Sequence, residues 1–426
     1  MAIKVSRYTI FHRQNGKLYL YHQLSKALLE IDEEMYNALT TSNLDIIPSE
    51  TKQYLENAFV LIDESIEESD AIKAANLHCR YNSDSIRITI LPTLNCNFQC
   101  WYCYENHKPS KISKDGISSI LKFIKQETIS KSKKAIILDW FGGEPMLCFN
   151  NIIYPFSKHL ISWCKKNNIT LYSMTTTNGS LINEDNVVKI NEIGLSQFQI
   201  TLDGGKELHN KTRFSNNIKN SYDKIVSNIH LLCDKVENIN IELRINYTPE
   251  NIHTLTSILD NFDYHIRHKI KVSPHIVWQE SDKVMDLSKN IQEFCQEALK
   301  KGYVIPNNIL RNRCLSCYTE NADQYVINYD LSVYKCTARD FDKQYSIGKI
   351  LPNGKFLPNG LYYKYITEPA PFINEVCLKC NILPSCMFAT SCLQKKIERS
   401  NHSCCKELIN KNINTFISQK IISLCD

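Results

Sequence analysis

No stretch of this 426-residue chain approaches the roughly 18 consecutive apolar residues of a membrane-spanning helix, and its opening, MAIKVSRYTI, lacks the apolar core of a secretory signal. The expectation is a cytoplasmic protein with no membrane partner. Basic clusters are missing as well: no five Lys or Arg residues run together and none interleave with aromatics, so nucleic acid is not an expected partner. The formal charge of +5 is uneven: residues 1–90 hold 9 Lys and Arg against 13 Asp and Glu, and the remainder holds 41 against 32. The acidic first segment therefore reads as a separate unit. Compositional bias is absent too, because 43% hydrophobic and 22% charged residues exclude both a disordered and a collagen-like chain. Against these absences stand 18 cysteines. Thiols in a reducing compartment stay unpaired, so so many of them point to metal ligation or catalysis.

The chain has room for two to four domains. Residues 7–24 show two β-rich runs around Asn15-Gly16, the dipeptide of a type I′ hairpin. Helical stretches at 32–41 and 49–57 and an apolar run at 58–62 complete a small α+β, winged-helix-like module over residues 1–70. The acidic 63–70 stretch reads as a linker or as a solvated helix end. From residue 85, short apolar runs at 86–91, 135–141, 171–177, 198–203, 241–247 and 270–278 alternate with helical patterns. Six strands alternating with helices imply a parallel sheet with right-handed crossovers. Polar residues on one face of the fourth and fifth strands (Gln199, Thr201, Asp203; Glu242, Arg244, Asn246) point to a partial (β/α)6 TIM-like barrel over 85–285 holding a ligand, whereas a closed barrel fills its interior with apolar side chains. Beyond a helix near 287–298 regularity fades and cysteines crowd, so residues 286–426 read as an extension held together by metal.

The first chemical constellation is Cys96-x3-Cys100-x2-Cys103, directly after the first strand of the barrel. Three thiolates can hold three irons of a [4Fe-4S] cubane and leave the fourth open, and Phe98, Trp101 and Tyr102 among them would shield it from water. A zinc knuckle completed by a distant residue is the alternative. Phe141-Gly142-Gly143-Glu144-Pro145 follows the second strand: its glycines permit close backbone approach to a ligand, and Glu144 offers a carboxylate to an ammonium group. A second set comprises Cys314, Cys317, Cys336, Cys377, Cys380, Cys386, Cys392, Cys404 and Cys405. Its spacing alone suits two further four-iron clusters or two zinc sites. Cys164, Cys233 and Cys295 fall on apolar helical faces and are most simply small core residues.

Together the cysteine loop and the Gly-Gly-Glu-Pro loop resemble those of the radical SAM superfamily, in which the open iron chelates S-adenosylmethionine and reductive cleavage yields a 5′-deoxyadenosyl radical. The resemblance implies that Cys96, Cys100 and Cys103 ligate the cluster, that Tyr102 lines adenine, and that Gly142, Gly143 and Glu144 meet the methionine amine. It further implies that Thr201 and Arg213, in TLDGGKELHNKTR, lie at the cofactor, with Arg244 and Asn246 as contacts to its carboxylate and ribose. The later cysteines resemble the SPASM extension, whose interleaved ligands imply one auxiliary [4Fe-4S] cluster on Cys314, Cys317, Cys336 and Cys392. A second would sit on Cys377, Cys380, Cys386 and Cys404 or Cys405. The pattern departs from the usual one at Leu331, where glycine is usual, in the five-residue interval between Cys386 and Cys392, and in a short last interval.

The function implied is that of a radical SAM/SPASM peptide maturase. It would carry three [4Fe-4S] clusters, cross-link a ribosomally made precursor peptide, and draw electrons from a donor such as a flavodoxin or ferredoxin. The amino-terminal module is similar to domains that capture a leader peptide as an added strand. Within the class, the competing expectation is an anaerobic sulfatase-maturating, formylglycine-forming enzyme, against which stands Thr337 where an aspartate follows the cysteine in that family. From another class, a non-catalytic zinc or electron-transfer protein would account for the cysteines alone.

Overall fold

The structure, a computed structural model, describes residues 2–277, 279, 287–305, 317–338, 341–367, 375–384, 413, 414, 417, 418 and 421. Its contacts divide the chain into two units, one of Met1–Asn82, Asn307–Ala322 and Tyr363–Asp426, the other of Ser83–Pro306 and Asp323–Tyr362. Residues 286–426 are thus shared between the two.

In the first unit β1 (Ile3–Val5) precedes a hairpin of β2 (Thr9–Gln14) and β3 (Lys17–His22), turning at Asn15 (φ 52°) and Gly16 (φ 76°). Two successive positive φ angles are what a type I′ turn requires, and Asn-Gly supplies them at little cost. β4 (Leu28–Ile31) joins β3, while β1 pairs with β5 (Leu61–Asp63). Asp32 caps α1 (Glu33–Thr40) by accepting from the Met35 N–H at 2.7 Å. α2 (Ser49–Asn57) follows, and Leu20, Leu39, Leu55, Val60 and Leu61 form the core between sheet and helices. The acidic stretch is a helix start: α3 (Glu68–Tyr81) begins inside it. Hydrophobic periodicity does not reveal this helix, because the residues it buries are Glu68, Ile72, Asn76 and Arg80, three of them polar. Arg80 donates to the Tyr365 carbonyl at 2.8 Å and lies 3.9 Å from Glu320, partners remote in sequence.

The second unit is built on a sheet of order β11-β10-β9-β8-β7-β6-β12-β13-β14-β15. The six expected barrel strands are β6 (Ser85–Ile90), β7 (Ala135–Trp140), β8 (Thr170–Thr177), β9 (Leu195–Leu202), β10 (Asn240–Tyr247) and β11 (Ile270–Ile276), all parallel. Between them run α4 (Lys114–Ser130), α5 (Tyr154–Lys166), α6 (Glu184–Glu192), α7 (Lys206–Thr212), α8 (Ser221–Lys235), 3-10 turns over Ile252–Asn261, and the short α9 (Tyr264–Arg267). α10 (Ser288–Lys300) follows β11. One sheet face is apolar and buried: Ile86, Ile88, Leu138, Trp140, Phe198, Ile200, Ile241 and Leu243. Fully burying one such side chain is worth about 1.5–3 kcal/mol. The alternate residues, Arg87, Thr89, Asp139, Thr201, Arg244 and Asn246, share the opposite face, as their pairings show.

The sheet does not close on itself. The free edge of β6 is taken by β12 (Gln324–Ile327) in parallel, and β13 (Ser332–Tyr334), β14 (Gly348–Ile350) and β15 (Phe356–Pro358) continue antiparallel. This corrects the expectation that regularity fades after 286. Strands of three or four residues are too short to show a period, and what fixes them is tertiary: buried Asp323 pairs with Lys131 at 2.9 Å and Lys133 at 2.5 Å.

Candidate functional site

The loop carrying Cys96, Cys100 and Cys103 runs from the C-terminal end of β6 to α4, which Ser113 caps by accepting from the Gly116 N–H at 3.0 Å. Cys96 and Cys100 are half-buried and Cys103 is exposed. The Cys96 sulfur accepts from the Phe98 N–H at 3.4 Å, and the Cys103 sulfur lies 3.3 Å from Nε2 of His107. Burial, with the Glu144 carboxylate adding, pushes the Cys96 thiol up to about 12, and burial pushes Cys103 up to about 11. Metal coordination here must displace protons, and the cation that favours this at both thiols is Arg213. Of the three aromatics expected to exclude water, Phe98 is buried, Tyr102 half-buried and Trp101 56% exposed.

The glycines of the Gly-Gly-Glu-Pro loop answer to backbone, not to open space. An added Cβ would stand 2.3 Å from the Thr93 carbonyl oxygen at Gly142 (φ 123°), and 2.4 Å from those of Leu94 and Asn95 at Gly143. Glu144 donates its N–H to the Asn95 carbonyl at 2.8 Å, so this loop is laid directly on the start of the cysteine loop. The Glu144 carboxylate is wholly buried. It accepts from the Met146 N–H at 2.9 Å, the Thr177 hydroxyl at 2.7 Å and the Asn178 N–H at 2.7 Å. Burial raises its pKa even so. A carboxylate has about four acceptor positions, so three donors leave one for a further partner.

Asn178, at the end of β8, was not among the expected site residues. Its side chain donates to Asn97 at 2.8 Å and approaches the Cys96 sulfur at 4.0 Å, while its backbone N–H holds Glu144. The Asn178-Gly179 dipeptide closing an apolar-polar run was the available signal. Three loops, after β6, β7 and β8, are therefore joined around Cys96 by hydrogen bonds.

A second cluster centres on the Tyr102 hydroxyl. It donates to Asp203 Oδ2 at 2.5 Å and accepts from Arg213 Nη1 at 2.8 Å and Asn246 Nδ2 at 3.1 Å. Arg244 completes the set by donating from Nε to Asn246 at 2.8 Å, and it makes no ion pair with Glu242 among those observed in the described residues. Asp203, Arg213 and Asn246 are buried, and Thr201 is buried beside Arg244 in the strand pairing. Asp203, quoted in its motif but given no role, is the acceptor that fixes the phenol, and burial raises its pKa. Its other oxygen, like Nε of Arg213, is buried without a hydrogen-bond partner. A cleft of about 80 Å3 opens beside this cluster, lined by Trp101, Tyr102, Asp203, Asn246 and Val277. The buried orphan oxygen of Asp203, a residue of the cleft wall, fits a site for a polar ligand. The structure places Tyr102, Arg213, Arg244 and Asn246 in one hydrogen-bonded cluster, with Thr201 beside Arg244 in the strand pairing.

Among the described residues no three His, Cys, Asp or Glu side chains gather around a point as a mononuclear metal site requires. A cubane, whose thiolates bind separate irons, makes no such demand. Of the later cysteines, Cys336 follows β13 in the second unit and accepts from the Ala338 N–H at 3.3 Å. Cys317, Cys377 and Cys380 lie in the first unit. Cys314, Cys386, Cys392, Cys404 and Cys405 fall outside the described residues. Leu331 has φ 70°, so the departure from glycine leaves the left-handed backbone unchanged. Cys164 and Cys233 are buried core residues and Cys295 is half-buried.

Residues 90–261, which hold the thiol-rich loop at the carboxyl end of the first parallel strand and the Gly-Gly-Glu loop after the second, match the Radical SAM superfamily. Among relatives, the cysteine-type anaerobic sulfatase-maturating enzyme of Clostridium novyi is 27% identical over 295 residues, 62% of this chain and 77% of that protein. The radical SAM cyclopropyl synthase TigE of Paramaledivibacter caminithermalis is 22% identical over 299 residues, 59% of this chain and 62% of that protein. The fold is shared with anSMEcpe, solved with bound AdoMet and Cp18Cys peptide, at a TM-score of 0.61 and 18% identity over 80% of this chain and 98% of that one. No helix among the described residues is long and apolar enough to cross a membrane.

Proposed function

We propose that this protein is a radical S-adenosylmethionine enzyme that modifies a ribosomally made precursor peptide, forming a thioether, carbon-carbon or related cross-link. The observation that carries the reading is the locking of the Cys96–Cys103 loop to Glu144 and Asn178 at the ends of parallel strands. S-adenosylmethionine, when bound at the cluster, supplies a 5′-deoxyadenosyl radical. Cys96, Cys100 and Cys103 would hold three irons, and the last acceptor position of Glu144 would meet the cofactor ammonium. Gly142 and Gly143 hold that loop against the cysteines; Tyr102, Thr201, Arg213, Arg244 and Asn246 orient the nucleoside and carboxylate ends. Cys314, Cys317, Cys336 and Cys392, and Cys377, Cys380, Cys386 and Cys404 or Cys405, would carry two auxiliary clusters, with electrons from a flavodoxin or ferredoxin. In a cytoplasmic protein of this kind, residues 1–70 would take the leader peptide along the edge of β2, residues 85–285 the cofactor, and residues 286–426 the auxiliary clusters.

The sulfatase-maturating reading is the second, favoured by the relative from Clostridium novyi. Against it, the residue after Cys336 is Thr337, which has no carboxylate to take a proton, and its carbonyl is occupied by the Tyr104 hydroxyl at 2.7 Å. The experiment is an anaerobic incubation of the reconstituted protein with S-adenosylmethionine, a low-potential reductant and a synthetic candidate precursor peptide. Cross-linking appears as a product lacking two hydrogens with 5′-deoxyadenosine formed alongside. Conversion of a cysteine to an aldehyde with loss of sulfur would install the second reading instead.

A further inference from the structure

The ligand loop holds one contact for which neither the cluster nor the cofactor accounts. His107 places Nε2 3.3 Å from the sulfur of Cys103, the most exposed of the three expected ligands. We propose that His107 donates a hydrogen bond to the Cys103 thiolate and thereby raises the reduction potential of the cluster held by Cys96, Cys100 and Cys103; this rests on the cluster reading above.

The chemistry follows from the donor inventory. An iron-bound thiolate has no proton to give, so the imidazole nitrogen facing it must carry the hydrogen, which assigns the tautomer. Reduction adds negative charge that spreads onto the sulfurs, and a donor aimed at a sulfur stabilises the reduced form more than the oxidised one. Cys103, which also has the Glu105 N–H as a backbone donor, is the thiol that a side-chain imidazole faces. Cys96 already accepts from the Phe98 N–H at 3.4 Å and has Asn178 at 4.0 Å. Cys103 is braced by a turn, its N–H donating to the Cys100 carbonyl at 3.1 Å, which presents its sulfur outward toward His107.

The spacing Cys96-x3-Cys100-x2-Cys103-x3-His107 also has the composition of a Cys3His zinc site. The geometry points the other way, since among the described residues no three such side chains gather around one ion. A fourth protein ligand would also occupy the iron that the cofactor needs.

The test compares full-length, anaerobically reconstituted wild type with His107→Phe and His107→Gln, measuring iron and sulfide content and the midpoint potential of the cluster whose EPR signal responds to S-adenosylmethionine. Iron content should match wild type in both variants. The potential should fall in His107→Phe and recover in part in His107→Gln, which keeps an N–H donor. An unshifted potential in His107→Phe overturns the proposal. Loss of about four irons from both variants overturns it too, making His107 a ligand or a fold residue, as does stoichiometric zinc in the wild type that both variants lose. A wild type that holds neither iron nor zinc at this loop defeats the cluster reading itself, a distinct result.

Discussion

At the scale of single residues, Glu144 uses most of its hydrogen-bonding capacity. Glu144 accepts from three protein donors, one through Oε2 and two through Oε1. Glu144→Gln must turn an amide hydrogen toward one of those donors, at a cost of about 1–3 kcal/mol, and it removes the charge proposed to meet the cofactor ammonium. The variant should keep its iron, melt at a lower temperature, and bind S-adenosylmethionine roughly tenfold to a hundredfold more weakly; iron assay, thermal scan and equilibrium binding check the three arms. Asp139, on the inner face of β7, has a single long hydrogen bond from Thr89 at 3.5 Å, and burial raises it to about 7. Between its ordinary value near 3.8 and about 7 the folded state binds more protons than the unfolded one, so stability falls as pH rises through that window. Asp139→Asn should flatten this part of the profile, measured by denaturant unfolding at about pH 5.5 and about pH 7.5. Leu331, held at φ 70°, bears the left-handed cost of roughly 1–2 kcal/mol that Asn tolerates, so Leu331→Asn should raise the unfolding midpoint.

At the scale of elements, the glycines of the loop after β7 decide whether the cysteine loop can form. Gly143→Ala would press a methyl into the carbonyl oxygens of Leu94 and Asn95, atoms of backbone that cannot step aside singly. The loops should part, and reconstituted iron should drop by about four per chain with the fold retained by circular dichroism. Unchanged iron would show that the cysteine loop does not depend on this contact. Elements with a strong local signal were legible in the sequence. The hairpin rests on Asn15-Gly16, and all six parallel strands rest on runs long enough to show their period. α3 and β12 to β15 were not, because α3 buries polar residues and the strands hold three or four residues each.

At the scale of the molecule, iron stoichiometry tests the whole set of cysteines at once. Eleven ligands in groups of three, four and four predict close to 12 irons per chain in the anaerobically reconstituted protein. A triple replacement of Cys96, Cys100 and Cys103 by alanine should leave about eight and abolish cofactor cleavage. Deleting residues 1–70 is a poor probe of leader capture, because Tyr19 and Tyr21 pack with Ile382 and Ile413 in one core cluster and Tyr8 with Leu383 in another, all within the same unit. Peptide titration of the full chain, with and without proline substitutions along β2, is the cleaner measurement.

The sequence by itself determined the alternation of strands and helices, the three-thiol loop and the Gly-Gly-Glu loop, because periodicity and ligand spacing are local properties that survive without knowledge of the fold. Only the tertiary structure decided what each group faces. It turned the two glycines toward the Thr93–Asn95 backbone, gave Glu144 its three donors, and brought Asn178 and His107 beside the thiols. It also joined Tyr102 to Asp203, Arg213 and Asn246 across as many as 144 positions of chain. Contacts at such separations are set by the register of parallel strands and the direction of the loops leaving them, and no window of neighbouring residues contains that information.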